Sequence, residues 1–353
     1  MQLADLYEYL PELERSLAES YARERRCVPP PVRSYAELLR GFTLRGGKRF
    51  RALLVLAGYH IGTGSDPGVA MPAAVGLEHF QSWMLVHDDI IDHASERRGG
   101  PSLHLEVARR HRRERARGPS EEYGEGVAIT LGDLEEPFAV DGLLSVRVDA
   151  ARRLSALEEY VRMTRLTAYG QLLDLRNGSA EPGSVTEAEV LTVHRLKSAV
   201  YTVASPLGIG ARLAGASPAT LRDLEAYAVD LGIAFQLRDD VLGAGFGGKE
   251  VGKSANDLGE GKRTLLIVRL WRTGSKAEKA AVARVLGRPR ASRASLELAR
   301  EAIRSSGSLD YSERRIAELT SRGLGRIELS RAIRPSAKPL LREIAHRLTD
   351  RAN

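Results

Sequence analysis

Residues 77–92 read LEHFQSWMLVHDDIID, an apolar helical stretch that ends in three acids, Asp88, Asp89 and Asp92. Charge at the end of such a stretch is costly unless something pairs with it. Asp88 and Asp92 are four residues apart, so their carboxylates share one helical face and repel each other. A divalent cation reverses the sign of that interaction. A ligand set of oxygens, without histidine or cysteine, indicates Mg2+ rather than Zn2+.

A second cluster repeats the pattern. LGIAFQLRDDVLG (231–243) places Asp239 and Asp240 after another apolar helical run. In a folded helical bundle the two clusters could face each other. Because Mg2+ shares its shell with phosphate oxygens, two carboxylate walls suit a diphosphate held through several Mg2+ ions.

Around these clusters the 3.6-residue apolar period dominates. It predicts helices over 50–60, 71–95, 127–145, 155–177, 184–215 and 219–243, and further short helices to the end. Thr186 and Glu189 have the spacing of a capping box. Strand signals are weak and no βα repeat occurs, so the sequence reads as all-α with ten to thirteen helices. LGRPRASRAS (285–294) reads as a loop rather than an interdomain linker, and no break in composition separates two domains. The expectation is one domain over 1–353, a bundle able to surround a deep apolar cavity.

Bulk properties exclude several classes. The chain has 353 residues, 43 % of them apolar, and no apolar run long enough to span a membrane. Its N-terminus, MQLADLYEYLPELERS, is acidic and amphipathic, unlike a signal peptide. One cysteine, Cys27, rules out an intrachain disulfide framework and fits a reducing cytoplasm. Net charge is +7, but basic residues are spread among acids, and RRHRRERAR (109–117) has no interleaved aromatics, which argues against a nucleic-acid partner. A positive cleft for a small polyanion explains the balance more simply.

The basic residues fall beside glycine-bearing segments. RGGKRFR (45–51) sets Lys48, Arg49 and Arg51 at the start of a helix, ERRGGPS (96–102) sets Arg97 and Arg98 after the first acids, Lys197 lies within HRLKSAVYT, and GKSANDLGEGKRT (252–264) carries Lys253, Asp257 and Lys262. Lysine, arginine and helix N-termini all favour phosphate. With two acid clusters, they suggest two diphosphate sites, one through Mg2+ and one through direct basic contact.

The motifs GGKRFR, HDDIID with ERRGGPSLH, GQLLDL (170–175), LKSAVYT (196–202), FQLRDD (235–240) and GKSANDLGEGK (252–262) resemble, in order, those of the trans-polyprenyl diphosphate synthases. The resemblance implies the all-α isoprenoid synthase fold of type I, a helical bundle around a deep central cavity. It implies a homodimer and a cytoplasmic, Mg2+-dependent prenyltransferase. Isopentenyl diphosphate would condense with an allylic diphosphate to a short-chain (C10–C20) trans-polyprenyl diphosphate, with three Mg2+ per site. By the same resemblance Asp88, Asp92 and Asp239 would hold the metal, with Asp89 and Asp240 supporting or bridging, and these five acids with Lys197 would be the catalytic set. Arg97, Lys197, Lys253 and Lys262 would hold the allylic diphosphate. Gly47, Lys48, Arg51 and Arg98 would form the isopentenyl diphosphate site. Gln171 and Gln236 would line the reaction centre, Ser198 would bind substrate, and Arg49 stands without a firm role.

Three positions depart from the family. Gln81 stands where histidine usually helps hold isopentenyl diphosphate, and it can donate a hydrogen bond but carry no charge. Ser198 replaces threonine. Gly243 replaces the third acid of the second motif. In the family, bulk at the positions of Trp83 and Met84 shortens the product, so an inward Trp83 would act as a plug. The competing readings are a class I terpene cyclase of the same fold, which would ionise without coupling, and a non-catalytic subunit that tunes another synthase. Retention of Lys48, Arg51 and Arg98 argues against the cyclase, and survival of both acid clusters against the subunit.

Overall fold

A computed structural model describes residues 1–24, 27–247 and 257–349. The fold is all-α, with sixteen α-helices among the described residues rather than ten to thirteen. The surplus comes from short helices and from a π-helical interruption that the apolar period does not signal. No helix among the described residues is long and apolar enough to cross a membrane.

The chain forms two compact units, Met1–Leu157 with Ile209–Gly215, and Glu158–Gly208 with Ala216–Asn353. The first contains α1 (Leu3–Tyr7), α2 (Leu10–Glu24), α3 (Arg33–Leu44), α4 (Phe50–Thr63), α5 (Met71–Ile91), α6 (Leu103–Arg113) and α7 (Ser120–Leu144). Here α5 packs chiefly on α7. Facing glycines permit that contact: a Cβ at Gly76 would lie 2.6 Å from the Ala139 carbonyl oxygen, and one at Gly142 would lie 2.6 Å from that of Pro72. Leu53, Leu54, Leu77 and Phe80 fill the core.

Polar side chains also penetrate this unit, and two networks pair several of them. Glu135 of α7, fully buried, accepts from Tyr21 (2.5 Å) and Thr43 (2.8 Å) and faces His79 Nδ1 at 2.5 Å. Arg49, at the start of α4, is buried with Glu14 (2.7 Å) and Glu78 (2.9 Å). Arg49 has φ 46°, a left-handed conformation uncommon outside glycine, and this network holds it there.

The remaining helices are α8 (Ala150–Ser179), α9 (Glu187–Val193), α10 (Ser205–Leu213), α11 (Pro218–Gly243), α12 (Leu265–Thr273), α13 (Lys276–Ala283), α14 (Arg293–Ser305), α15 (Ser308–Leu329) and α16 (Lys338–Thr349). The expected helix over 184–215 is instead three pieces: α9, a π-helical segment at His194–Ala204, and α10. The capping box is present, with Glu189 N–H donating to Thr186 Oγ1 at 3.2 Å. In the second unit α11 is central, packing on both α15 and the π-helical segment. Ala234, Leu237, Leu265, Leu266 and Ile303 form its core.

Candidate active site

The first acid cluster ends α5. Asp92 caps the helix, its N–H bonded to the Asp88 carbonyl at 2.8 Å. Asp92 is exposed, Asp88 half-buried and Asp89 buried. The second cluster ends α11, with Asp239 half-buried and Asp240 buried in the last turn. A helix C-terminus carries partial negative charge and favours cations. Neither α5 nor α11 has a basic residue in its last turn. Both helices therefore place carboxylates where the helix itself opposes them, an arrangement that a bound cation stabilises.

Within each cluster the inner acid is occupied. Arg97 Nε donates to Asp89 Oδ1 at 2.7 Å, and its Nη2 bonds the same oxygen. Burial pushes the Asp89 carboxyl up despite this arginine, and Asp89 Oδ2 is buried with no hydrogen-bond partner. In the second unit, Asp240 Oδ1 accepts from Gln236 Nε2 (3.0 Å), and His194 Nε2 lies 3.0 Å from Oδ2. Burial by itself would raise this carboxyl, but His194, Gln236 and Lys262 hold it below the ordinary carboxylate range.

Arg97 lies in the only strand pair among the described residues, and Arg98 in the turn that joins its strands. β1 (Glu96–Arg97) pairs antiparallel with β2 (Gly100–Pro101) across a tight turn that the sequence reading did not foresee. Arg98 and Gly99 both have positive φ, 52° and 72°, as a two-residue turn of the inverted type requires. Arg98 Nη1 donates to the Thr43 carbonyl at 3.2 Å, which also accepts from Arg49 at 3.1 Å. A Cβ at Gly47 would lie 3.5 Å from the Arg98 guanidinium. The segments RGGKRFR and ERRGGPS thus meet, as two halves of one basic site should. Lys48 is exposed, Arg51 half-buried, and Gln81 buried on α5. Upstream on α5, Trp83 sits edge-on to Phe80 at 5.6 Å between ring centroids, and Met84 is half-buried.

In the second unit, Ser198 donates to Gln236 Oε1 at 2.8 Å, joining the π-helical segment to α11. Lys197 donates to Asp174 Oδ2 of α8 at 2.7 Å. A Cβ at Gly170 would lie 2.5 Å from the Lys197 backbone nitrogen, so GQLLDL and LKSAVYT are in contact. Gln171 is half-buried on α8. Lys262 donates to Asp257 at 3.0 Å and lies 2.7 Å from Glu260, and these carboxylates raise its pKa against the opposing effect of burial. Lys253 falls outside the described residues.

Sequence reasoning missed His194, Asp174 and the role of Asp257. His194 and Lys197 are three residues apart, a spacing that hinted at a shared face. Among the described residues, no three His, Cys, Asp or Glu side chains gather into a ready-made metal cage. Mg2+ does not require one, since it is bound through one or two carboxylates plus waters and substrate phosphates. The carboxylates at the two helix ends fit that mode, and the orphaned Asp89 oxygen marks a polar group still lacking a partner.

The chain belongs to the polyprenyl synthetase family, whose family model matches residues 32–303. It is 31 % identical to the geranylgeranyl diphosphate synthase of Methanosarcina mazei over 87 % of this chain and 86 % of that protein. It is 28 % identical to the geranylfarnesyl diphosphate synthase of Natronomonas pharaonis over the whole of both. A crystal structure of geranylgeranyl pyrophosphate synthase from Corynebacterium glutamicum, complexed with isoprenyl diphosphate and magnesium, is 33 % identical. It matches with a TM-score of 0.89 over 99 % of this chain and 100 % of that one.

Proposed function

We infer that this protein is a Mg2+-dependent prenyltransferase that condenses isopentenyl diphosphate with an allylic diphosphate to a short-chain (C10–C20) trans-polyprenyl diphosphate. The observation that carries this reading is the pair of helices, α5 and α11, that each end in carboxylates at the negative pole of the helix, in a chain of this family. The relatives' names, geranylgeranyl and geranylfarnesyl diphosphate synthase, support the reaction class. The whole chain, 1–353, acts as one isoprenoid synthase domain in this reading.

Asp88, Asp92 and Asp239 would hold Mg2+, three ions per site, which neutralise the leaving diphosphate when bound. Asp89 and Asp240, buried and already paired, keep their helix ends in place. Lys197, Lys262, Arg97 and Lys253 bind the allylic diphosphate and stabilise charge as its C1–O bond breaks heterolytically. Gly47, Lys48, Arg51, Arg98 and Gln81 hold isopentenyl diphosphate. Its double bond attacks C1 of the allylic cation, a C–C bond forms, and the departing diphosphate takes the proton whose loss restores the alkene. Gln171, Ser198 and Gln236 line the reaction centre. Apolar surroundings exclude water, which would otherwise capture the cation. Trp83, with Met84, limits product length.

We assign the protein to the cytoplasm, and to a homodimer. Exposed apolar side chains on α7 (Ile129, Leu134, Leu144) and α8 (Tyr169, Leu172) support the second assignment, since such surface is normally covered in an assembly. Light scattering tests it. The function is tested by incubating purified protein with isopentenyl diphosphate, Mg2+ and, in turn, dimethylallyl, geranyl and farnesyl diphosphate, then separating linear prenols from cyclic hydrocarbons. Elongation that requires isopentenyl diphosphate is expected. A cyclic hydrocarbon formed without it would identify a cyclase, and inactivity with every allylic substrate a non-catalytic subunit.

A further inference from the structure

The hairpin that carries Arg97 and Arg98 is too small to hold itself. β1 and β2 have two residues each, and an isolated two-stranded hairpin is marginally stable at best in water. Arg98, with φ 52°, adds the strain of a left-handed backbone at a residue other than glycine. Contacts from outside the turn must therefore fix it. Two lie at its base, where Ser102 Oγ donates to the Ala94 carbonyl and Ser102 N–H to the Ser95 carbonyl at 3.2 Å. A third is the Arg97–Asp89 pair with α5.

The fourth comes from Arg45, a residue to which the sequence motifs gave no role. Arg45 is the C-cap of α3, its N–H bonded to the Gly41 carbonyl at 3.2 Å, and its side chain is half-buried. Its Nη1 donates to the Pro101 carbonyl of β2 at 2.5 Å. The Cβ position of Gly100 lies 2.7 Å from the same nitrogen, so the guanidinium rests on the strand itself. It also lies 5.8 Å from the ring centroid of Phe42, a buried residue of α3, and this cation–π contact restrains the side chain. In return, Arg98 Nη1 lies 3.5 Å from the Arg45 carbonyl oxygen, besides its bond to Thr43. The clasp is reciprocal: the Arg45 side chain holds the hairpin backbone, and the Arg98 side chain holds the backbone at 43–45.

We propose that Arg45 is a positioning residue for isopentenyl diphosphate, fixing the hairpin so that Arg98 stays against Gly47, without touching the ligand itself. Arg97 is anchored separately, on Asp89, so loss of Arg45 loosens Arg98 and spares Arg97. This inference rests on the prenyltransferase reading, in which Arg98 binds isopentenyl diphosphate and Arg97 the allylic diphosphate.

The full-length protein is compared with Arg45→Gln, Arg98→Gln, their double and Arg45→Lys. Two assays are used: steady-state kinetics with each substrate varied in turn, and calorimetric binding of isopentenyl diphosphate. Arg45→Gln should raise the KM and Kd for isopentenyl diphosphate about tenfold, with kcat and the allylic KM within about threefold. Arg45→Lys should return both constants to within about threefold of wild type, because one ammonium donor can serve one carbonyl. The double should match Arg98→Gln, as expected when one residue acts through the other. Effects that multiply would show that Arg45 meets the ligand by itself, an equal rise in both KM values would show a merely structural role, and unchanged binding would show none; each overturns the proposal. Should Arg45→Gln fail to fold by circular dichroism, Arg45→Met, an unbranched side chain without donors, takes its place in the cycle, and misfolding of both overturns the proposal. If the wild type binds isopentenyl diphosphate but consumes none with any allylic diphosphate, the prenyltransferase reading fails and the binding cycle still judges Arg45. Absence of binding overturns both.

Discussion

At the end of α5 the inner acid, Asp89, is buried against one arginine that arrives from the β1–β2 turn, and burial leaves its carboxyl raised. At the end of α11 its counterpart, Asp240, is buried among His194, Gln236 and Lys262, and its carboxyl is lowered. The motifs look alike in sequence, yet their inner acids sit in opposite electrostatic environments. In both, the outer acids (Asp88 and Asp92, Asp239) keep contact with solvent. The difference teaches that similar acid clusters split alike into buried and solvent-facing members while being stabilised by different means. A single charge-assisted hydrogen-bonding partner serves the first, and a network of partners the second.

If the outer acids are functionally equivalent, Asp88→Asn and Asp239→Asn should each lower kcat by about 10²–10³-fold at saturating Mg2+, as expected when charge stabilisation of a transition state is lost. A variant that keeps near-normal turnover at one cluster only would break the symmetry. The inner acids should differ in stability. Arg97→Gln strands a buried carboxylate that had one arginine, whereas His194→Ala leaves Asp240 its Gln236 bond. Because Arg97 is 31 % exposed, solvent moderates the first loss. Urea denaturation should show about 2–3 kcal/mol lost for Arg97→Gln and about 1–2 kcal/mol for His194→Ala. The reverse order would show that the network, not the single pair, is the stronger anchor.

A smaller effect should separate the helices themselves. α5 carries Trp83 and Met84 one turn before its acids. Trp83→Ala should shift products toward longer prenols, measured by chromatography, with kcat changed by less than about tenfold. An unchanged product distribution would remove Trp83 from the cavity floor and leave it a packing residue against Phe80.

The smallest effect concerns the scaffold behind the second cluster. Glu189 caps α9 immediately before the π-helical segment, and its pKa is lowered to about 2, first by the Thr186 backbone N–H and then by Arg176 and the Thr186 side chain. A lowered folded-state pKa contributes stability above the unfolded value, and this contribution is lost as pH falls through the folded value. Glu189→Gln should therefore be less stable than wild type at neutral pH by less than about 1 kcal/mol, its Arg176 partner being largely exposed. The gap should close as pH falls from about 4 toward 2 in pH-dependent denaturation curves. A gap independent of pH would assign the effect to side-chain shape rather than charge.

Much of this was legible in the residues. Apolar period and the absence of strand patterns specified an all-α chain, and the position of each acid cluster after an apolar run predicted carboxylates at helix ends. Both signals are local: a helix repeats every few residues, and its last turn is near in sequence to its core-facing rows. The capping box at Thr186 was readable for the same reason. Tertiary structure decided the partners. Lys197 is held by Asp174, twenty-three positions away, and Arg97 turns back to Asp89 through a hairpin with two positive-φ residues. Arg49 lies buried between Glu14 and Glu78. Such pairings depend on which surfaces packing brings together and removes from water, so residue types and spacing announced the charges while burial chose which of them would meet.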